Sequence, residues 1–322
     1  MRIGLLNNLR AGKNDAQVNR LLGFLRRHPD VLHVETGSAH VVPEALSELA
    51  RQEVDILVVN GGDGTLQTAL TEILHNGVFG ERVPMIAPLR GGRTNMNALD
   101  IGCRRDPVKG LGELLADVHA GDVSKRVVSR RVLRVQHGLQ RNVEYGMFFG
   151  LGLIHRAIEL NHRMFTEGAA RHAQGVVGAT MVTGGLLGRL AMGENDGILL
   201  PDKVQVLLDG EPMADSEFYL TIASTLSRLF ARMRPFWGVG PGGVHFTSIA
   251  SNSNRLARSF PGILRGRPLD FVTDDNGYTS RNLDRVQMRL DCGFTVDGEL
   301  FDPEPGRVVE LTADRTVRFV RT

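Results

Sequence analysis

Over the first 120 residues, short apolar runs alternate with segments whose apolar residues recur every three or four positions. That alternation constrains the fold more than any other feature. The runs RIGLL (Arg2 to Leu6), VLHVET (Val31 to Thr36), DILVVN (Asp55 to Asn60) and PMIAPL (Pro84 to Leu89) have the length and continuous apolarity of strands buried on both faces. Between them, Val18, Leu21, Leu22 and Leu25 share a helical face up to Arg26-Arg27-His28-Pro29, where the proline ends the helix. Ala45, Leu46 and Leu49 mark a second helix, and two more are expected from about Leu66 to His75 and from Pro107 to Ala120. Strand and helix in strict alternation give a parallel, doubly wound sheet with helices on both faces. After Gly121 the pattern becomes a series of strands: SRRVLRVQ, VEYGMFFGLG, KVQVLLDGEP, EFYLTIAST, a segment near Val244, LDFVT, RVQMRL and CGFTVDGEL. Asp209-Gly210 and Asp297-Gly298 are hairpin signals, so this second region is mainly antiparallel β. A helical stretch from about Ala157 to Met192, with the Gly-rich run Ala173 to Gly188, interrupts it. The expected organisation is an α/β domain over residues 1–125 and a β-rich domain over 126–302, with 303–322 packing back on the first.

At ~150 residues per domain, 322 residues accommodate these two without disulfide or metal staples. Lys+Arg 38 against Asp+Glu 36 leaves +2, too little for nucleic-acid binding by bulk charge. Cys103 and Cys292 form no CxxC pair, and His155 and His162 share a helix face with no third ligand, so no zinc site is expected. No leader pattern opens MRIGLLNNLRAGKN, and no uninterrupted apolar run reaches the ~18 residues of a membrane span. A cytoplasmic protein is expected.

The segment carrying chemistry is Asn60-Gly61-Gly62-Asp63-Gly64-Thr65, directly after the strand DILVVN and before a helix. Its glycines let the backbone approach an anion, Thr65 can cap the helix or bond a phosphate oxygen, and the helix N-terminus supplies unpaired N–H groups. The Gly-Lys-Ser/Thr ending of a Walker loop is absent. The alternative is an ordinary tight strand-to-helix turn.

GGDGTLQTAL resembles the GGDGT motif of the diacylglycerol kinase-like lipid kinases, a family that includes sphingosine and ceramide kinases and is distantly similar to NAD kinases. Three further segments follow in family order. LLNNLRAGKN is similar to the opening Asn-Pro-x-Ser-Gly turn, keeping Asn8 and Gly12 with Leu9 and Ala11 substituted. APLRGGRTNMNALDIG is similar to the Pro-x-Gly-Thr-x-Asn-Asp-x-Ala segment, keeping Gly92, Asn95 and Ala98, and FTVDGEL resembles the C-terminal Asp-Gly-Glu motif. The resemblance implies an ATP-dependent lipid kinase with its active site in the cleft between the two domains. It places Asn8, Thr36, Gly61, Gly62, Asp63, Gly64, Thr65, Arg93, Thr94 and Asn95 around the nucleotide, with Mg²⁺ as cofactor. Glu299 falls on the proton acceptor for the substrate hydroxyl, Asp63 on a second carboxylate arranging Mg²⁺ or that hydroxyl, and Asp297 on a possible metal ligand. Diacylglycerol is the default acceptor, and ceramide or a sphingoid base the runner-up.

Several positions depart from the family. Met96 replaces an Asp, Arg93 a Thr, Gln67-Thr68 an Asn-Glu, and Gly242-Gly243 stands where the family has an Asp-Gly holding a structural Mg²⁺. Each loss of a carboxylate keeps open a nucleotide-binding regulatory protein with little turnover. The stretch STLSRLFARMRPFWGVG mixes Leu226, Leu229, Phe230, Met233, Phe236 and Trp237 with Arg228, Arg232 and Arg234. It suits an anionic membrane interface, and equally a core strand and loop. The expected partner is a lipid at a membrane surface, reached peripherally; a homodimer is left open.

Overall fold

Four of the apolar runs become parallel strands: β1 (Ile3–Asn8), β2 (Val31–Thr36), β3 (Ile56–Gly61) and β4 (Met85–Arg90). The computed structural model describes residues 1–9, 15–37, 39–139, 142–166, 185, 189 and 200–322. These form two units, Met1–Arg130 with Thr316–Thr322, and Arg131–Arg315.

In the first unit the strand order is β4-β3-β1-β2, with Ile3 paired to Val31 on one side and to Ile56 on the other. The helices are α1 (Asp15–Leu25), α2 (Val42–Arg51), α3 (Asp63–Leu74), α4 (Met96–Ile101) and α5 (Pro107–His119). Alternate strand residues go to opposite faces, which is why continuous apolar runs are needed. On one face Ile3, Leu5, Ile56, Val58 and Ala87 pack with Leu21 and Leu25 of α1 and Leu111, Leu114 and Leu115 of α5. On the other, α2 packs against β1 and α3, burying Leu46 and Leu49. The last residues of the chain complete this unit: Phe319 pairs in parallel with Ile86, and Thr322 donates its hydroxyl to the Pro88 carbonyl at 2.8 Å.

The second unit is antiparallel apart from its helices. Its strands are β5 (Val127–Gln136), which begins in the first unit, β6 (Val143–Gly146), β7 (Phe148–Gly152), β8 (Asp202–Leu208), β9 (Glu211–Pro212), β10 (Glu217–Ser224), β11 (Val244–Ala250), β12 (Tyr278–Leu283), β13 (Arg285–Leu290), β14 (Phe294–Val296), β15 (Glu299–Phe301) and β16 (Val308–Val320), which ends in the first unit. β10 pairs with β7, β8 and β11, and β14 pairs with β7 and β15. The core gathers Phe149, Phe218, Phe246 and Phe294, with Phe149 and Phe294 stacked at 5.3 Å. Both Asp-Gly pairs form two-residue hairpins with positive φ at each position, 49° and 93° at Asp209-Gly210 and 49° and 94° at Asp297-Gly298.

The structure differs from the sequence expectations at identifiable places. LDFVT (Leu269 to Thr273) is not a strand, because the Asp274–Asn276 3-10 turn follows it; the strand is the polar YTSRNL, β12. α4 and a further helix, α7 (Leu256–Ile263), were not anticipated. The helix expected from Ala157 starts earlier, as α6 (Leu153–Thr166); the remainder of that stretch, including the run Ala173 to Gly188, lies outside the described residues, as does Gly12. The C-terminal return is shorter than 303–322. Val308 to Thr312 of β16 pair antiparallel with β13 in the second unit, and only Thr316–Thr322 belong to the first. In the Arg-rich stretch Leu226 and Leu229 are buried, which removes them from any interface, while Arg228, Arg232 and Arg234 are exposed.

Candidate active site: a phosphate cradle at the sheet's switch point

β1 sends the chain to β2 on one side and its other neighbour is β3, so the order of connection reverses between β1 and β3. In open α/β sheets ligands bind beyond the carboxyl ends of the strands at such a point. The residues there are Asn8 at the end of β1, Gly61 at the end of β3, and the start of α3.

Gly62 is the N-cap of α3, extended at φ −89° and ψ −175°, and its carbonyl accepts from the Leu66 N–H at 3.2 Å. The N–H groups of Asp63, Gly64 and Thr65 therefore have no intrahelical acceptor. Together with a helix dipole worth about half a positive charge at this end, they are suited to receive an anion. Asn8 crosses the switch point, its side-chain amide donating to Thr65 Oγ1 at 2.9 Å. Behind it runs a polar chain: Asn60 donates to Asn7 at 2.6 Å, and Asn7 contacts His33 Nε2 at 3.3 Å. Burial lowers the His33 pKa against the raising influence of Glu35, so a neutral ring is favoured. Thr36, at the end of β2, is buried, with a hydroxyl that has no hydrogen-bond partner among the described residues.

The loop after β4 closes on the cradle. A Cβ at Gly92 would lie 2.3 Å from the Gly62 Cα, so the two backbones meet only because Gly92 has no side chain. Asn95, left-handed at φ 51°, fixes this loop by accepting from the Gly92 N–H and donating to the Gly92 carbonyl, both at 2.7 Å. Arg93 is exposed and Thr94 half-buried on the same loop.

Asp63 has a different position from the one expected of a metal or hydroxyl ligand. Its two oxygens accept the N–H groups of Met96 and Asn97, each at 2.9 Å, so it caps α4 and holds the Gly92 loop to α3. Burial pushes its pKa up, opposed by the backbone N–H groups of Asn97, Met96 and Asn95. Asp297 is likewise committed. It is 6% exposed and accepts from the Met147 and Phe148 N–H groups, each at 3.0 Å, clamping the β14–β15 turn to the β6–β7 corner. Glu299, two residues on, opens β15 opposite Val296 with its side chain exposed.

These donors do not fit a protein-held Mg²⁺. The Asp63 and Asp297 oxygens serve backbone N–H groups, and a Cβ at Gly242 would lie 2.0 Å from the Leu283 carbonyl carbon, so no Asp could stand there. Among the described residues no three His, Cys, Asp or Glu side chains are grouped to bind a metal.

The structure adds Arg90, which sequence reasoning passed over. It ends β4 in register with Gly61 and is half-buried, with an Nε that has no partner among the described residues. A lone Arg closing the apolar run PMIAPL was the available signal. Asn7 and Asn60, the penultimate residues of two adjacent buried strands, were a second.

Residues 2–125 match the family model described as the diacylglycerol kinase catalytic domain. Among solved structures, a candidate diacylglycerol kinase from Bacillus anthracis str. Sterne matches with a TM-score of 0.67 at 17% identity, covering 100% of this chain and 95% of that one. Another structure from this organism, described as a diacylglycerol kinase, gives a TM-score of 0.60 at 15% identity, covering 100% and 97%. At these identities the likeness is one of fold. No curated protein matches the chain.

Proposed function

We propose that this chain, whose residues 2–125 match the diacylglycerol kinase catalytic-domain model, is an ATP-dependent lipid kinase whose default acceptor is diacylglycerol. The observation that carries this reading is the cradle from Gly61 to Thr65, set at the switch point and tied to β1 by Asn8. Phosphoryl transfer is mostly positioning and charge neutralisation. The free N–H groups at the start of α3 hold the nucleotide phosphates, and Arg90 and Arg93 supply positive charge on the neighbouring β4 and its loop. Glu299 accepts the proton of the lipid hydroxyl as its oxygen attacks the γ-phosphorus and ADP departs. Mg²⁺ enters this reading with the nucleotide rather than on a protein carboxylate.

The second reading, a nucleotide-binding regulator with little turnover, is favoured by the commitment of Asp63 and Asp297 to backbone N–H groups. The test is incubation with γ-labelled ATP, Mg²⁺ and detergent-dispersed diacylglycerol, ceramide and sphingosine, following label into the organic phase. Label in diacylglycerol supports the first reading, and label in ceramide or sphingosine alone reassigns the acceptor. ATP binding with no label in any lipid extract supports the regulator.

A further inference from the structure

Arg232, Arg234, Arg265 and Arg267 line one cavity of about 660 Å³ in the second unit, and Phe260 and Leu264 contribute apolar wall to it. The arginines come from stretches thirty residues apart. Arg232 and Arg234 lie on the turn after β10, while Arg265 and Arg267 follow the end of α7. Main chain fixes the two together: the Arg234 N–H donates to the Leu264 carbonyl at 2.9 Å, and Gly266, at φ 64°, passes so close that a Cβ there would lie 2.8 Å from the Arg234 carbonyl oxygen. Ala231 and Arg232 are both left-handed, at φ 52° and 59°. That conformation is costly for residues with a side chain, and it persists where surroundings enforce it.

All four arginines are exposed, and among the described residues none has a carboxylate within 4.0 Å. Arg265 donates to the Pro261 carbonyl at 3.3 Å. Four cations around one cavity with no counter-ion repel one another, and an anion would relieve that repulsion. Guanidinium forks match phosphate oxygens two at a time. The volume lies within the ~300–1,000 Å³ range of ligand sites and far exceeds a bare phosphate. With an apolar wall behind a basic rim, the fitting ligand is amphiphilic.

We propose that this cavity binds the phosphate of an anionic phospholipid headgroup, with Phe260 and Leu264 against the glycerol and first acyl carbons. The second unit then has a lipid-surface contact of its own. It is built from distant segments and not from the apolar residues of one amphipathic stretch, since Leu226 and Leu229 are buried. This assignment does not depend on the kinase reading.

The test uses the full chain, without nucleotide, sedimented with vesicles of phosphatidylcholine alone or mixed equally with phosphatidylglycerol. The wild type should pellet with the anionic vesicles, not with the neutral ones, and lose binding as salt rises. The paired changes Arg232→Ser with Arg234→Ser, and Arg265→Ser with Arg267→Ser, should each weaken pelleting about tenfold or more. The same pairs changed to Lys should retain salt-sensitive but weaker binding. Arg228→Ser, which removes an exposed charge outside the cavity, should bind as the wild type. Thermal unfolding of every variant should be unchanged, because the removed side chains are exposed. Equal pelleting on neutral vesicles, retained pelleting in both Ser pairs, or loss in Arg228→Ser equal to theirs would overturn the proposal. So would calorimetric binding of inorganic phosphate without vesicle binding, which would make free phosphate the ligand. A protein that pellets as expected but transfers no label leaves this site intact and sinks only the kinase.

Discussion

Asp106 shows how one carboxylate serves two purposes in the first unit. It caps α5 by accepting from the Val108 and Lys109 N–H groups, and it holds Arg20 of α1 at 2.9 Å. The Arg20 bond is the largest influence keeping its pKa below the ordinary 3.8, helped by the two N–H groups. Asp106→Ala should cost about 1 kcal/mol, read as a lower thermal midpoint. Asp106→Asn keeps a good cap and loses the ion pair, so at neutral pH it should cost under about 1 kcal/mol. A depressed folded value means that the stabilisation is present above 3.8 and lost as pH falls through the folded pKa, so the wild type and Asp106→Asn should converge there. A difference that grows on acidification would contradict this. Asp63 is the more consequential carboxylate. Asp63→Asn can satisfy only one of the Met96 and Asn97 N–H groups, and a loss of about 1–3 kcal/mol is expected in chemical denaturation. Its identity was legible in GGDGT. Its partners were not, because they come from a loop thirty residues later whose conformation depends on Asn95 being left-handed.

The strand-to-helix turn and the Gly92 loop act as one element. At Gly62 an added Cβ would meet only the Gly92 Cα, at an ordinary 3.6 Å, and its φ of −89° suits any residue. Gly62→Ala should therefore fold with a near-normal midpoint while weakening ATP binding, since it adds a methyl group inside the proposed cradle. Gly92→Ala meets the Gly62 Cα at 2.3 Å and should lose both stability and binding. Equal ATP affinity in Gly62→Ala and the wild type, by equilibrium dialysis, would show that the cradle does not hold the phosphates. Elements with a clear apolar period were readable from sequence, among them β1 to β4, α3, α5 and both Asp-Gly hairpins. β12 was not, because it is stabilised by polar contacts such as Thr279 to Asp274 and Thr247 to Ser280. α7 was hidden by its internal Pro261 and α4 by its brevity.

At the scale of the molecule, the first unit is discontinuous in sequence. Phe319 and Val320 are fully buried in it, and burial of one such side chain is worth about 1.5–3 kcal/mol. Truncation after Arg315 should therefore cost several kcal/mol, against a net stability of about 5–15 kcal/mol, and give an unfolded or insoluble product. A truncated chain with an unchanged midpoint would show that the C-terminal return is not needed. The return itself was legible in outline, but its boundary depends on where β16 leaves β13, which no local pattern marks. Glu299, exposed at the start of β15, is the base proposed for the transfer. The most direct measurement is single-turnover transfer of γ-label from ATP to diacylglycerol by the wild type and by Glu299→Gln, with ATP affinity measured in both. Equal affinity is expected, with a rate lower by about 10²–10⁴ in Glu299→Gln, the contribution of a positioned base. Transfer at the wild-type rate by Glu299→Gln, or no transfer by a wild type that binds ATP, would contradict this.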